Sequence, residues 1–225
     1  MFKYARLVLL PFVGILPLFL SAPSWARLRA LKFPSELNQT IERYTKAQSL
    51  HLTVRKSMRL AVLGRDKVQS GQIFVKAGNI RLEFNGSSKS LIVVGPKYIW
   101  IVNYPSKELG GRIQVARALR NDSRHPPVLY DLLARRNPSR EFAVNSAKLD
   151  GSRGSYSLVA RKRSPGIHKI DLVIDRIHHE ILSLSYWDEL GNKTTYVFLK
   201  TQWNPSLPDS LFRYIPPKGA AISHY

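Results

Sequence analysis

The sequence predicts a mainly β protein of one domain, an antiparallel barrel or sandwich of about a dozen strands carrying two helices. Three observations lead there. Apolar residues recur with a period of two along most of the chain, turn residues fall about every 8–12 residues, and two segments have helical spacing instead. Hydrophobic residues at 44% and charged residues at 22% suit a packed domain rather than a disordered chain. No internal repeat or second composition regime divides it.

The first element is a helix over Pro34–Ala47. Pro34 and Ser35 suit its start, and Leu37, Ile41 and Tyr44 share one face at i, i+4 and i+7. From Ser49 to Gly64 the period is two, with Leu50, Leu52, Val54, Met58, Leu60 and Val62 set against His51, Thr53 and Arg59. Gly64–Lys67 supplies a turn, and residues 68–77 form the second strand of a hairpin. Short strands follow at 80–84, 90–94 and 97–103, separated by Gly78-Asn79, Asn85-Gly86 and Gly95-Pro96. Another is expected at 112–116. Pro126–Arg136 then interrupts with a second helix whose stripe is Val128, Leu129, Leu132 and Leu133, with Arg135 and Arg136 at its C-terminal end. Strands resume at 140–149, 155–163, 167–175, 180–188, 193–203 and 211–216, with residues 188–192 as a hairpin loop.

Several strands are apolar on both faces. In residues 97–102, Tyr98, Trp100 and Val102 point one way, Ile99 and Ile101 the other. A single sheet in water does not tolerate that. Either one face packs under a helix while the other lines an apolar interior, or the strands form an ordinary sandwich core.

Residues 1–26 read as a secretory signal. Lys3 and Arg6 precede an apolar run from Leu7 to Leu20, and Ser24 and Ala26 form a small-x-small site before Arg27. The run contains Pro11 and Pro17 and falls short of the roughly 20 apolar residues of a membrane-spanning helix. Export to the periplasm with cleavage after Ala26 is the expectation, leaving residues 27–225 as the mature domain. The chain has no cysteine, so neither disulfides nor a lipid on an N-terminal cysteine is available. Lys and Arg number 35 against 15 acidic residues, a net charge of +20 that favours anionic partners such as acidic headgroups. The basic residues are scattered rather than blocked, which also suits mere solubility. Nucleic acid is not expected as a partner of an exported chain whose aromatics sit at core spacing.

No catalytic constellation emerges. His178 and His179 are adjacent and would point to opposite faces of a strand, so they do not share a metal easily. Residues 151–155 lack the spacing of a nucleophile elbow. Asp171 and Asp175 flank one strand and read as solvated strand-end charges in preference to an acid–base pair. Neither cofactor nor metal is expected.

Taken in order, several motifs resemble the LolA family, periplasmic carriers of outer-membrane lipoproteins. They are Ala47–Leu50, Gly71–Lys76, Ile80–Phe84, Ser90–Val94, Lys97–Trp100, Pro126–Leu133 and Phe212–Gly219. The resemblance implies an α+β fold, mainly β with a helical lid: an incomplete, strongly curved antiparallel β-barrel of about 11 strands covering an apolar cavity. It implies no catalysis and no cofactor, only the holding of acyl chains. Strand alternation and the resemblance together nominate Leu52, Val54, Ile73, Val75, Leu82, Phe84, Val93, Trp100, Leu172, Leu184 and Phe198 as cavity residues. Leu37, Ile41, Tyr44, Leu129, Leu132 and Leu133 are the corresponding lid residues.

The implied partners are an acylated lipoprotein or envelope lipid, an inner-membrane release complex and an outer-membrane acceptor, with the carrier itself a monomer. Two alternatives stand beside this: a carrier of another anionic lipid or glycolipid, and a sensor or adaptor that binds a protein. Ala77 and Gly78 depart from the family pattern, which has an arginine that latches the lid, followed by a proline. Arg81 matches another family arginine and is expected to point away from the lid.

Overall fold

Period-two alternation produces strands that pair, in the computed structural model, into one 12-stranded sheet. Described are residues 33–86, 89–105, 111–120, 128–133, 139, 142–161, 167 and 169–224; the signal reading of residues 1–26 and the flanks of the second expected helix lie outside them. The chain runs α1 (Ser35–Lys46), β1 (Ser49–Leu60), β2 (Arg65–Lys76), β3 (Asn79–Asn85), β4 (Ser90–Val94), β5 (Tyr98–Asn103), β6 (Gln114–Leu119) and α2 (Val128–Leu133). It continues with β7 (Phe142–Asp150), β8 (Arg153–Ala160), β9 (Lys169–Asp175), β10 (Glu180–Trp187), β11 (Lys193–Trp203) and β12 (Ala221–His224).

The order across the sheet is β12-β6-β5-β4-β3-β2-β1-β11-β10-β9-β8-β7. Two meanders therefore meet at the long β1–β11 pair, and β7 and β12 remain as separate edges. Every pairing is antiparallel except β12 with β6. Laid flat, β5 and β7 would stand roughly 40 Å apart at the usual strand spacing. Yet Ile99 of β5 and Val144 of β7 belong to one buried cluster, so the sheet curls around it. Register shifts at Thr53/Val54, Val144/Ser146 and Ile181/Ser183 mark bulges, each adding twist and bend to its strand. The expected incomplete curved barrel is what forms.

The largest departures from the sequence reading are at the first turn and the C-terminal end. The first hairpin turns at Ala61–Gly64 rather than Gly64–Lys67, because Gly64 takes the left-handed conformation (φ +58°) and its N–H donates to Leu60 O at 2.9 Å. Arg65, Asp66 and Lys67 then join the ladder opposite Leu60, Arg59 and Met58. Residues 211–216 do not form a strand. Asp209–Phe212 is a 3-10 turn, Pro216 and Pro217 offer no ladder donor, and the last strand forms at Ala221–His224 instead. The sheet keeps the dozen strands read from the sequence, 12 against the roughly 11 that the resemblance implied.

The tail after β11 crosses the convex face. Lys76 Nζ donates to Leu207 O at 2.6 Å and pairs with Asp209 at 2.8 Å. Arg81 pairs with Glu83 at 2.6 Å and donates to Leu211 O at 3.0 Å. Tyr214 rests against Trp100 with ring centroids 5.5 Å apart. Beneath this strap lies a small separate core of Leu91, Val93, Val102 and Val115.

Candidate functional site

On the concave face, paired residues line up into apolar rows that cross strand after strand. One row runs Leu50, Val75, Ile80, Val94, Ile99; the next runs Leu52, Ile73, Leu82, Ile92, Ile101. A third, on the other side of β1, runs Tyr156, Leu172, Leu184, Tyr196. Gly71 sits opposite Phe84, and a Cβ there would meet the Phe84 ring at 2.4 Å. Only glycine leaves room for that ring to lie across β2.

Nine of the eleven nominated cavity residues meet in this interior: Leu52, Val54, Ile73, Val75, Leu82, Phe84, Leu172, Leu184 and Phe198. Val93 and Trp100 do not. They point to the convex face, in the core beneath the tail. Both faces of β4 and β5 are apolar, so alternation could not choose between them, and the tail covers the second face.

The six lid residues all join the same interior. Leu37, Ile41 and Tyr44 of α1 and Leu129, Leu132 and Leu133 of α2 are buried against the sheet. Thr40 shares the buried face of α1, its hydroxyl donating to Glu36 O at 2.8 Å.

The position of the family's latching arginine is Ala77, exposed at the apex of the β2–β3 turn with φ +48°, followed by Gly78 at φ +77°. A proline, locked near −65°, does not fit the second position. Arg81 lies on the convex face under the tail, away from α1. The helix is tied down elsewhere, by the β9–β10 turn that the sequence reading did not single out. Arg176 pairs with Glu36 at 2.9 Å, Arg43 pairs with Glu180 at 3.5 Å, and the Arg43 guanidinium donates to His178 O. It also lies 4.1 Å over the Trp203 ring, whose Nε1 donates to Glu180 at 3.2 Å. Inside these surface ties, the Ile181 N–H donates to Tyr44 Oη at 3.1 Å, and the Tyr44 and Trp203 rings meet edge-on at 4.9 Å.

Asp175 shapes that turn by accepting from the Ile177 and His178 N–H groups and from His178 Nδ1, at 2.8, 3.0 and 2.9 Å. Those bonds, the His178 side chain first, hold its carboxyl down to about 2 and push the His178 imidazole up. Asp175 is thus a turn-forming residue, while Asp171 faces Lys169 at 3.4 Å. Among the described residues no group of three or more His, Cys, Asp or Glu stands close enough to hold a metal ion.

Away from the helices the interior turns polar. Lys56 extends the third row, facing Tyr196 on β11 and Gln69 on β2, and its Nζ lies 4.8 Å from the Phe84 ring centroid. Tyr186 and Tyr196 stack beside it with centroids 6.4 Å apart. Burial, with Lys67 nearby, pulls the Lys56 ammonium down to about 8. Burial also pushes both tyrosine hydroxyls up. The signal for this residue was in the alternation itself: Leu50, Leu52, Val54 and Met58 share a face that only Lys56 interrupts.

A family model described as outer membrane lipoprotein carrier protein LolA matches residues 64–215, from the β1–β2 turn to the tail. An outer-membrane lipoprotein carrier protein of Chromobacterium violaceum is 24% identical over 160 residues, 71% of this chain and 74% of that protein. Among solved structures, an uncharacterized conserved protein of Thermus thermophilus is 18% identical, covering 84% of this chain and 98% of its own, with a TM-score of 0.48. A LolA superfamily protein of Nitrosomonas europaea is 13% identical, covering 82% of this chain and 99% of its own, with a TM-score of 0.44.

Proposed function

Because the chain belongs to the LolA family of outer membrane lipoprotein carriers, we propose that it holds acyl chains between its concave sheet face and its helices. The cargo is an acylated lipoprotein or another envelope lipid, carried through the periplasm from inner to outer membrane. The observation that carries this reading is the set of continuous apolar rows closed over by α1 and α2.

The energetics suit reversible loading. An alkyl chain gains about 0.8 kcal/mol per CH2 on leaving water, so a chain of ~16 carbons gains on the order of 12 kcal/mol. Lifting Leu37, Ile41 and Tyr44 off the interior costs about 1.5–3 kcal/mol for each side chain, and exposed ion pairs add at most about 1 kcal/mol each. Chains that take over the contacts of the lid face offset its displacement. Cargo then passes onward when a membrane or acceptor competes for the same chains.

Native mass spectrometry tests this directly. The exported protein, beginning at Arg27, is expected to accept a purified triacylated lipoprotein and to ignore its unacylated form. A protein that is always lipid-free and accepts neither would overturn the carrier reading.

A further inference from the structure

Rows of apolar side chains explain where acyl chains lie, but not why a lysine stands among them. Lys56 continues the row Tyr156, Leu172, Leu184, Tyr196 and directs its ammonium inward beside the Phe84 ring. Lys67, opposite Met58 in the next row, faces the same side. Among the described residues no ion pair joins Lys56 to a carboxylate, and no Asp or Glu occupies the inward positions of β1, β2, β3, β8, β9, β10 or β11. Asp188, whose charge reaches Tyr186 at this end, is taken up in its own loop by the N–H groups of Leu190 and Asn192.

We propose that Lys56, supported by Lys67, seats the anionic group of an acylated amphiphile, a phosphate or carboxylate, whose chains run along the concave face toward α1. The inference rests on the carrier reading and names the class of ligand. A half-buried ammonium that faces apolar side chains without a counter-ion is partly stripped of water, and a cation–π contact offsets only part of that cost. A ligand anion at that point supplies the missing partner through a charge-assisted hydrogen bond. The Tyr186 hydroxyl, bonded to those of Tyr196 and Thr194, lies on the same face, so the remaining oxygens meet a polar network rather than more apolar surface. The lowered proton affinity of Lys56 fits a group left waiting for an anion. A net charge of +20 draws such ligands toward the protein from a distance. Neutral acyl-glyceryl groups bind through their chains alone, and an anionic group gains the further contact with Lys56.

Calorimetry on the mature protein with three single-chain ligands tests it: oleoyl-lysophosphatidylglycerol, oleate and the neutral monooleoylglycerol. Wild type is expected to bind at least one anionic ligand on the order of tenfold tighter than the neutral one. K56M is expected to lose that preference while keeping the neutral affinity, and K56R to retain it. Preference for lysophosphatidylglycerol over oleate would identify phosphate as the natural group, and the reverse order carboxylate. Methionine keeps the length and apolar stem of this half-buried side chain, so K56M is expected to keep the fold, which its thermal unfolding checks. Equal anionic and neutral affinities in wild type, or a K56M variant that keeps the preference, would overturn the charge seat while leaving the carrier reading standing. Failure of wild type to bind any of the three would sink both.

Discussion

Tyr44→Phe is the sharpest probe of how α1 is held. Tyr44 is 1% exposed, and its Oη accepts the Ile181 N–H at 3.1 Å across a buried contact between helix and sheet. The substitution keeps the ring against Trp203 and removes the hydroxyl, which accepts the Ile181 N–H and also bonds the Thr201 side chain. An amide left buried without its partner costs about 1–3 kcal/mol, so the ratio of closed to open lid falls roughly 5- to 150-fold. Hydrogen exchange by mass spectrometry reads this locally. Amides of α1 and of the β9–β10 turn should exchange faster by that factor, while those of β1 and β2 speed up only as far as global stability falls. Uptake of a lipid should also be faster. Unchanged exchange in α1, or a loss spread evenly over every strand, would refute the idea that this bond fastens a separately moving lid.

Three further outcomes follow from named contacts. Gly71→Ala drives a methyl to 2.4 Å from the Phe84 ring and 2.7 Å from Glu83 O; an overpacking loss of about 1–3 kcal/mol is expected in urea unfolding, partly relieved by Phe84→Leu. Leu82→Ala and Val93→Ala should both destabilise, by about 2–5 and about 2 kcal/mol, but only Leu82→Ala should weaken acyl-chain binding, because Val93 lies under the tail on the opposite face. The raised His178 imidazole stabilises the β9–β10 turn fully below its unfolded value of about 6.5, and this contribution fades as pH rises through the higher folded value. Asp175 works in the opposite sense, its contribution present above the ordinary carboxylate value and lost as pH falls toward about 2. Thermal melts from pH 5 to 9 should therefore show a decline around and above neutrality that His178→Gln removes.

Much of this architecture was legible in the chain because a half-buried strand must alternate. Leu52 and Val54, Ile73 and Val75, and Leu172 could be assigned to one interior from alternation together with the family resemblance, and Leu37, Ile41 and Tyr44 to one helix face from spacing. Alternation cannot orient strands apolar on both sides, which is why Val93 and Trp100 went to the wrong face. The tail that covers them reaches the sheet through Lys76 and Arg81, contacts spanning more than a hundred residues that leave no local pattern. The same holds for α1, whose ties to Arg176, Glu180 and Ile181 depend on two distant segments meeting.

By itself, then, the sequence determined the class of fold, the order of its strands and the apolar character of one shared surface, all consequences of local periodicity. Tertiary structure alone decided which face is concave, what fastens the helix where the family arginine is replaced by Ala77, and that Lys56 is half-buried on the concave face beside Phe84. Those are properties of non-local pairing and burial. A lysine carries the same letter on an open surface and beside Phe84, and only the curl of the sheet draws its ammonium against that ring.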